Sequence, residues 1–334
     1  MSTRTLAVDA LRALIRDALV VHDTSPGNAQ QVADALVAAE IDGQSGHGAS
    51  RVPSYAAQSR SGKVDGHAQP ALVRVGPAAL RVDARRGFAY PAINLAVAAL
   101  ATLAREAGIA AAAIADSHHS GVAGHPVEAL AREGLIALYF GNGPQGIAPW
   151  GGNRGLFGTN PIAFAAPRAS GEHLLIDMSL SKVARGKVNV AAQNSEPIPE
   201  GWAVDAQGRP TTDAHAAMAG TMLPMGDAKG AQLVLMVEIL AAALSASNFG
   251  YEASSFFTGE GDAPRVGQLL IAIDPAPFSA GRFGARLEDL LAAILDQGGT
   301  RLPGARRFAL RERAARDGIT LPVALHDQLR ALTG

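Results

Sequence analysis

The sequence predicts a mixed α/β protein built in more than one lobe. Apolar residues recur at helical spacing in some segments and in short unbroken runs in others, and the two kinds alternate along the chain. At 334 residues the chain is longer than one hydrophobic core usually serves. Between Gln193 and Met225 the text turns rich in proline and glycine, as in EPIPEGWAVDAQGRPTTD at 196–213. That stretch reads as a long ordered loop.

The elements follow in order. Leu11, Leu14, Ile15 and Leu19 fall on one helical face. A second helix opens at Ser25-Pro26, a capping side chain followed by proline in the first turn, and stops before Gly43. The segments 93–108, 126–134, 230–247 and 285–297 read as further helices. The runs IAAAAIA at 109–115, LIALYF at 135–140, LLIDMS at 174–179 and LLIAID at 269–274 read as buried strands.

Composition closes off several functions. Hydrophobic residues make up 48% and charged ones 18%, as in a soluble globular protein. Lysine and arginine total 29 against 30 acidic residues, so no net field recruits nucleic acid or an anionic membrane. Cysteine is absent, which removes disulfides, thiolate catalysis and cysteine-based zinc sites. Asp9, Arg12, Arg16 and Asp17 interrupt any signal-like pattern at the start. The most apolar run, 233–244, carries Glu238 and is too short to span a bilayer. A cytoplasmic protein is expected.

GNGPQG at 141–146 follows a strand and matches the dinucleotide fingerprint, but its context fails. A phosphate loop must open a helix, and the next residues, IAPWGGNRGLFGTNP, hold two prolines and four glycines. The Rossmann reading is set aside.

Two constellations carry chemistry. In DSHHSGVAGHPVEAL at 116–130, His118 and His119 are adjacent and diverge, and His125 starts the next helix. No carboxylate pair stands at a metal-ligand spacing, so no metal is expected. Each histidine alone reads as a packing or capping residue. The strand, turn and helix together form an anion-friendly corner, a seat for phosphate or nicotinamide. In DGQSGHGASRVPSY at 42–55, His47 sits between two glycines with Arg51 four residues on. Taken plainly, that is a surface loop. Taken as chemistry, it places one proton donor beside one carboxylate clamp, the kit for reducing a small 2-oxo or 2-imino acid.

The chain resembles the malate/L-lactate dehydrogenase family, NAD(P)-dependent oxidoreductases without a Rossmann fold. Besides the two stretches above, the resemblance rests on APWGGNRGLFGTNPIAFAAP at 148–167, DMSLSKVARGK at 177–187 and PEGWAVDAQGRPTTD at 199–213. It continues through GDAKGAQLVLMVEILAAAL at 226–244 and PGARRF at 303–308. These follow family order over nearly the whole chain. Within the family, the Ser-His-His turn, FGTNPIAFAAP and the PGxRR segment most resemble Δ1-piperideine-2-carboxylate/Δ1-pyrroline-2-carboxylate reductases, which make L-pipecolate or L-proline with NADPH.

The resemblance implies a largely antiparallel central sheet that binds the dinucleotide, and a homodimer with its active site near the subunit boundary. It places a helical domain at 1–80 and 275–334, the sheet domain at 81–190 and 225–274, and a small subdomain or loop at 191–224. By matching residues, His47 is the proton donor and Arg51 the substrate-carboxylate anchor. The cofactor residues are His119, Ser120, Gly121, Val122, Ala123, Thr159, Asp177, Met178, Ser179, Lys229 and Gly230, then Gly304, Arg306 and Arg307 near the C-terminus. Arg306 and Arg307 read equally as surface arginines. NADPH is expected over NADH because Lys229, Arg306 and Arg307 are at hand for a ribose phosphate.

Two residues depart from the imine-reductase pattern. A serine there precedes the histidine and joins an aspartate in a relay. This chain has Gly46, with Ser45 one residue earlier, and Lys187 at the aspartate position, as in the hydroxyacid-dehydrogenase branch. Lys187 is then the group expected to orient His47 and hold it neutral. The expected activity is reduction of a cyclic 2-imino acid within proline metabolism. The alternatives are a 2-hydroxyacid dehydrogenase and a non-catalytic binding protein of the same fold.

Overall fold

The computed structural model describes residues 2–334. Seven strands form the central sheet, in the order Ala71–Gly76, Ala79–Asp83, Ile109–Ser117, Val266–Ile273, Ile136–Gly141, Ile162–Ala166 and Leu174–Met178. One neighbouring pair, Ala79–Asp83 with Ile109–Ser117, is parallel, and the others run antiparallel. That order is incompatible with a doubly wound dinucleotide fold, as GNGPQG without a helix already indicated. Instead of opening a helix, Asn142 in that stretch accepts a hydrogen bond from Gly267 N and donates to Glu238 Oε1 and Asn248 O.

Both faces of the sheet are covered, which is why its strands read as unbroken apolar runs. The helices Ala89–Ala107 and Gly124–Arg132 bury Ile93, Leu100, Val127 and Leu130 against Leu80, Ile114, Tyr139 and Leu270. On the opposite face, the helix Asp227–Glu238 packs Val234 and Val237 on Phe140 and Leu269.

A second core is made by the two ends of the chain. The helices Val8–Val21 and Pro26–Ile41 contribute Leu11, Ile15, Leu19, Val32 and Leu36, and residues 319–331 contribute Leu321 and Leu329. The strand Thr3–Leu6 pairs antiparallel with Ile319–Pro322 and ties the termini together. Tyr55, Phe88 and Tyr90 belong to this core and face the end of the strand Ile109–Ser117, where the two cores meet.

The stretch 193–225 is more than a loop. With the helix Arg185–Gln193 it forms a small lobe of three two-residue strands and the helix Ala214–Ala219, around Val188, Ile198, Ala203 and Ala217.

Candidate active site

His47 and Arg51 reach the meeting of the two cores on short turns set between two helices. After Ile41 the chain turns at Gly43, φ 72°, then runs through 3-10 turns at Ser45–His47 and Ala49–Arg51 into the helix Val52–Arg60. Gly48 joins the two turns because the Glu40 side chain fills the space its Cβ would need. Glu40 Oε1 accepts from Ala49 N at 2.7 Å, and burial holds that carboxyl above its ordinary pKa. Arg51 folds back over its own loop. Its Nε donates to Gly46 O at 2.6 Å, and its guanidinium lies 4.5 Å from the centre of the Phe257 ring. Its Nη1 is buried with no partner among the described residues. A buried orphan guanidinium N–H calls for an acceptor, and a carboxylate supplies one in the matching geometry.

The strand Ile109–Ser117 delivers the paired histidines, which turn apart as strand alternation demands. His118 points into the core, among the rings of Tyr55, Phe88 and Phe256. Its Nε2 donates to Gln58 Oε1 at 2.9 Å, and Gln58 is oriented by donating to the carbonyls of Ser54 and Phe256. Burial pushes its pKa down to about 3, so His118 is a neutral packing residue.

His119 turns the other way. Its Nε2 stands 3.1 Å from His47 Nδ1, with the two ring planes 11° apart. Its Nδ1 stands 2.6 Å from the Tyr55 hydroxyl, which lies 3.2 Å from that of Tyr90. Both ring nitrogens are therefore taken by the protein, and any cofactor contact by His119 uses the ring face or the backbone. Burial, then the positive charge of Arg51, brings His47 down to about 4, with Asp177 pulling the other way.

The remaining cofactor candidates form one contiguous run. Asp177, at the end of the strand Leu174–Met178, accepts from Gly124 N at 3.0 Å and from Arg307 Nη2 at 2.6 Å. That joins the turn Ser120 to Ala123, the residues Met178 and Ser179, and the segment Gly304 to Arg307. Gly121 holds φ 68°, and a Cβ there would press on the Tyr90 hydroxyl at 2.7 Å. Val122 and Ala123 are buried. Thr159 O accepts from Leu180 N at 2.8 Å, and Leu180 O accepts from Met225 N at 2.8 Å. Gly230 packs directly on the Met225 carbonyl, and Lys229 precedes it on the same helix.

A cleft of about 620 Å³ opens beside this run, lined by Asp42, Gln44, Asp177, Arg301, Arg306 and Arg307. Arg307 is buried and its Nη1 has no hydrogen-bond partner among the described residues, standing 3.9 Å from Asp42, while Arg301 and Arg306 are exposed at the rim. Three guanidiniums, one of them with a free buried Nη1 among the described residues, suit the phosphates of a dinucleotide.

Lys187 stands elsewhere. It lies exposed on the helix Arg185–Gln193, beside an apolar cleft with Trp202 and Ile198 in the small lobe. The charges that act on His47 come from Arg51, Asp177, His125 and Arg307, so the depression expected of Lys187 has another source. Ser45 and Gly46 are exposed, and the space beside Gly46 is empty. Among the described residues no three His, Asp or Glu side chains converge as metal ligands.

Tyr55, Tyr90 and Gln58 were not singled out in the sequence. The available signal was spacing, since Tyr55 lies four residues after Arg51, but an aromatic at that spacing reads as core.

Residues 6–330 match the model of the malate/L-lactate dehydrogenase family. The chain belongs to that family. It is 56% identical over 327 residues to a (2R)-3-sulfolactate dehydrogenase (NADP(+)) of Chromohalobacter salexigens, covering 98% of this chain and 95% of that one. It is 43% identical to a Δ1-pyrroline-2-carboxylate/Δ1-piperideine-2-carboxylate reductase of Pseudomonas aeruginosa, over 98% of each. Among solved family structures, the Δ1-piperideine-2-carboxylate reductase of Pseudomonas syringae superposes with a TM-score of 0.93 at 41% identity, over 98% of this chain and 99% of that one. A sulfolactate dehydrogenase of Methanocaldococcus jannaschii superposes with a TM-score of 0.90 at 28% identity, over 98% and 96%.

Proposed function

We propose that this chain uses NADPH to reduce a small 2-oxo acid to a 2-hydroxy acid, and that the preferred substrate carries a second anionic group such as a sulfonate. The observation that carries the reading is the setting of His47, with Gly46 and Lys187 where the imine reductases have a serine and an aspartate. A ketone gains charge on oxygen as hydride arrives and must receive a proton, whereas a protonated cyclic imine brings its own. Without that serine and aspartate, His47 is oriented by the imidazole of His119, 3.1 Å away.

Nicotinamide chemistry supplies the hydride, and the protein supplies the rest. Arg51 binds the substrate carboxylate through its free N–H groups and holds the carbonyl near His47. A His47 titrating at about 4 is neutral near pH 7 and a poor acid. A bound dianion offsets the charge of Arg51, and the ring nitrogen of neutral His47 that faces away from His119 donates a hydrogen bond to the oxygen that gains charge. A cyclic iminium builds no charge on oxygen and draws less from that donor. The cofactor reading is supported by the arginine-lined cleft and by the 56% relative, which is named for NADP(+).

Reduction of Δ1-pyrroline-2-carboxylate or Δ1-piperideine-2-carboxylate remains the second reading. The fold likeness to an imine reductase, TM-score 0.93, favours it. We assign a homodimer as the working unit, in keeping with the apolar Leu235, Met236 and Ile239 that one helix and its continuation leave exposed.

The test is NADPH oxidation with 3-sulfopyruvate, oxaloacetate, pyruvate and pyrroline-2-carboxylate. The dianionic oxo acids are expected to give the highest kcat/KM. Faster turnover of the imine hands the function to the second reading, and no turnover of any acid leaves a binding protein.

A further inference from the structure

Two buried phenols stand behind the His47–His119 pair. Tyr55 is 0% exposed and Tyr90 6%. The Tyr55 hydroxyl lies 2.6 Å from His119 Nδ1 and 3.2 Å from the Tyr90 hydroxyl. We propose that Tyr55 is a positioning residue that fixes the tautomer of His119 and, through it, keeps the proton of neutral His47 on Nε2, the atom facing substrate in the 2-oxo acid reading on which this rests.

Counting hydrogens gives the direction. The run contains Tyr90 O–H, Tyr55 O–H, His119 and His47, and each neutral imidazole carries one N–H. Burial holds both phenols protonated, Tyr55 up to about 12, and holds His119 well below its ordinary value. Suppose His119 carried its proton on Nδ1. Tyr55 would then accept from it and donate to Tyr90, and the Tyr90 hydrogen would be left without an acceptor, because Tyr55 is the one hydrogen-bond partner of Tyr90 among the described residues. A buried donor without a partner is costly. In the opposite order Tyr90 donates to Tyr55, Tyr55 donates to His119 Nδ1, and His119 Nε2–H donates to His47 Nδ1. Every hydrogen between Tyr90 and His47 Nδ1 then has an acceptor, and the one left over sits on His47 Nε2. A 2.6 Å separation also suits an O–H donor to a ring nitrogen.

The same count explains the departures in sequence. With Gly46 in place of a serine, no side chain of its own loop among the described residues hydrogen-bonds the His47 ring, and the constraint comes instead from a residue just past a strand's end and from two helices. The proton is held by the core of the protein, not by the loop.

The experiment pairs nitrogen NMR of histidine-labelled protein with kinetics of Tyr55→Phe and Tyr90→Phe. In the wild type, His119 and His47 are expected to carry their protons on Nε2. Tyr55→Phe should turn His119 into a tautomer mixture. It should also lower kcat for a 2-oxo acid by about tenfold or more, while kcat for a cyclic imine and KM for NADPH stay within about twofold. Tyr90→Phe should do less, because Tyr55 can still donate to His119. Wild-type His119 protonated on Nδ1 overturns the proposal, and so does an equal loss with both substrates in Tyr55→Phe. If that variant fails to fold, the wild-type spectrum decides alone. An enzyme that reduces imines but no 2-oxo acid sinks the functional reading, while the tautomers still decide the role of Tyr55.

Discussion

Arg51 is held at two points and free at a third among the described residues. Its Nε is spent on Gly46 O, its plane rests on Phe257, and its buried Nη1 lacks a partner. Lysine at this position keeps the charge and loses both the stacking and the planar fork. Arg51→Lys is therefore expected to raise KM for the acid substrate by about tenfold or more while KM for NADPH moves little, on the scale of one lost charge-assisted bond. Equal rises in both constants would make Arg51 a structural residue. His47 and Arg51 were legible in the sequence because a histidine between glycines, followed at four residues by an arginine, is a recognisable kit. The partner of His47 was not legible. His119 lies 72 positions away in the chain, and only the packing of two cores turns its ring back toward the loop.

At the scale of elements, the site is held by charges buried between helices. Asp42 follows the helix Pro26–Ile41, Glu128 lies on the helix Gly124–Arg132, and Arg311 lies on the helix Ala305–Asp317. Arg311 bonds both oxygens of Asp42, at 2.6 and 2.8 Å, and both oxygens of Glu128. The two carboxylates are 1% and 3% exposed, and His125 adds a contact to Asp42 at 3.0 Å. Removing Arg311 leaves two buried charges without their main partner, so Arg311→Ala should cost about 3–5 kcal/mol in denaturant unfolding. A loss within about 0.5 kcal/mol, the size of an ordinary surface change, would show that the network is not what clamps these helices. The same helix begins at Ala305, so Arg306 and Arg307 are placed by the clamp. Arg306→Ala should raise KM for NADPH more than KM for NADH, and equal changes would exclude a contact to the ribose phosphate. Long apolar elements were readable from period alone. The helix 305–317 was not, because ARRFALRERAARD is dominated by arginine and buries only Arg307 and Ala314. The hairpin strands 71–76 and 79–83 were missed because Val73 and Val75 face outward at a sheet edge.

For the whole molecule, the neutral histidines couple the site to acid stability. His47 titrates at about 4 and His118 at about 3 in the folded protein, and His119 well below its ordinary value. Unfolded, each takes a proton near 6.5. Between 6.5 and the folded values the unfolded chain binds more protons, so stability falls as pH drops through that window. At 1.36 kcal/mol per unit, His47 accounts for roughly 3 kcal/mol and His118 for roughly 5 kcal/mol once the window is crossed. Asp42 adds a later loss, since its carboxyl sits at about 2, mainly through His125 and Arg311 acting against burial. Its contribution is present above its ordinary value of 3.8 and disappears as pH falls toward 2. Glu40 and Glu238 work the other way, because burial raises both and acid relieves them. Four histidines, with His173 also held below its ordinary value by burial, outweigh two carboxyls and leave a net loss that begins at a pH where ordinary carboxylates are still ionised. The melting temperature is therefore expected to drop between pH 7 and pH 5, before acid denaturation proper. His47→Gln removes one of the four groups and should show a smaller drop over the same interval, whatever its own stability at pH 7. A melting temperature flat from pH 7 to pH 5 would mean that the histidines are hydrated in solution, and the tautomer assignment behind His47 would lose its footing with them.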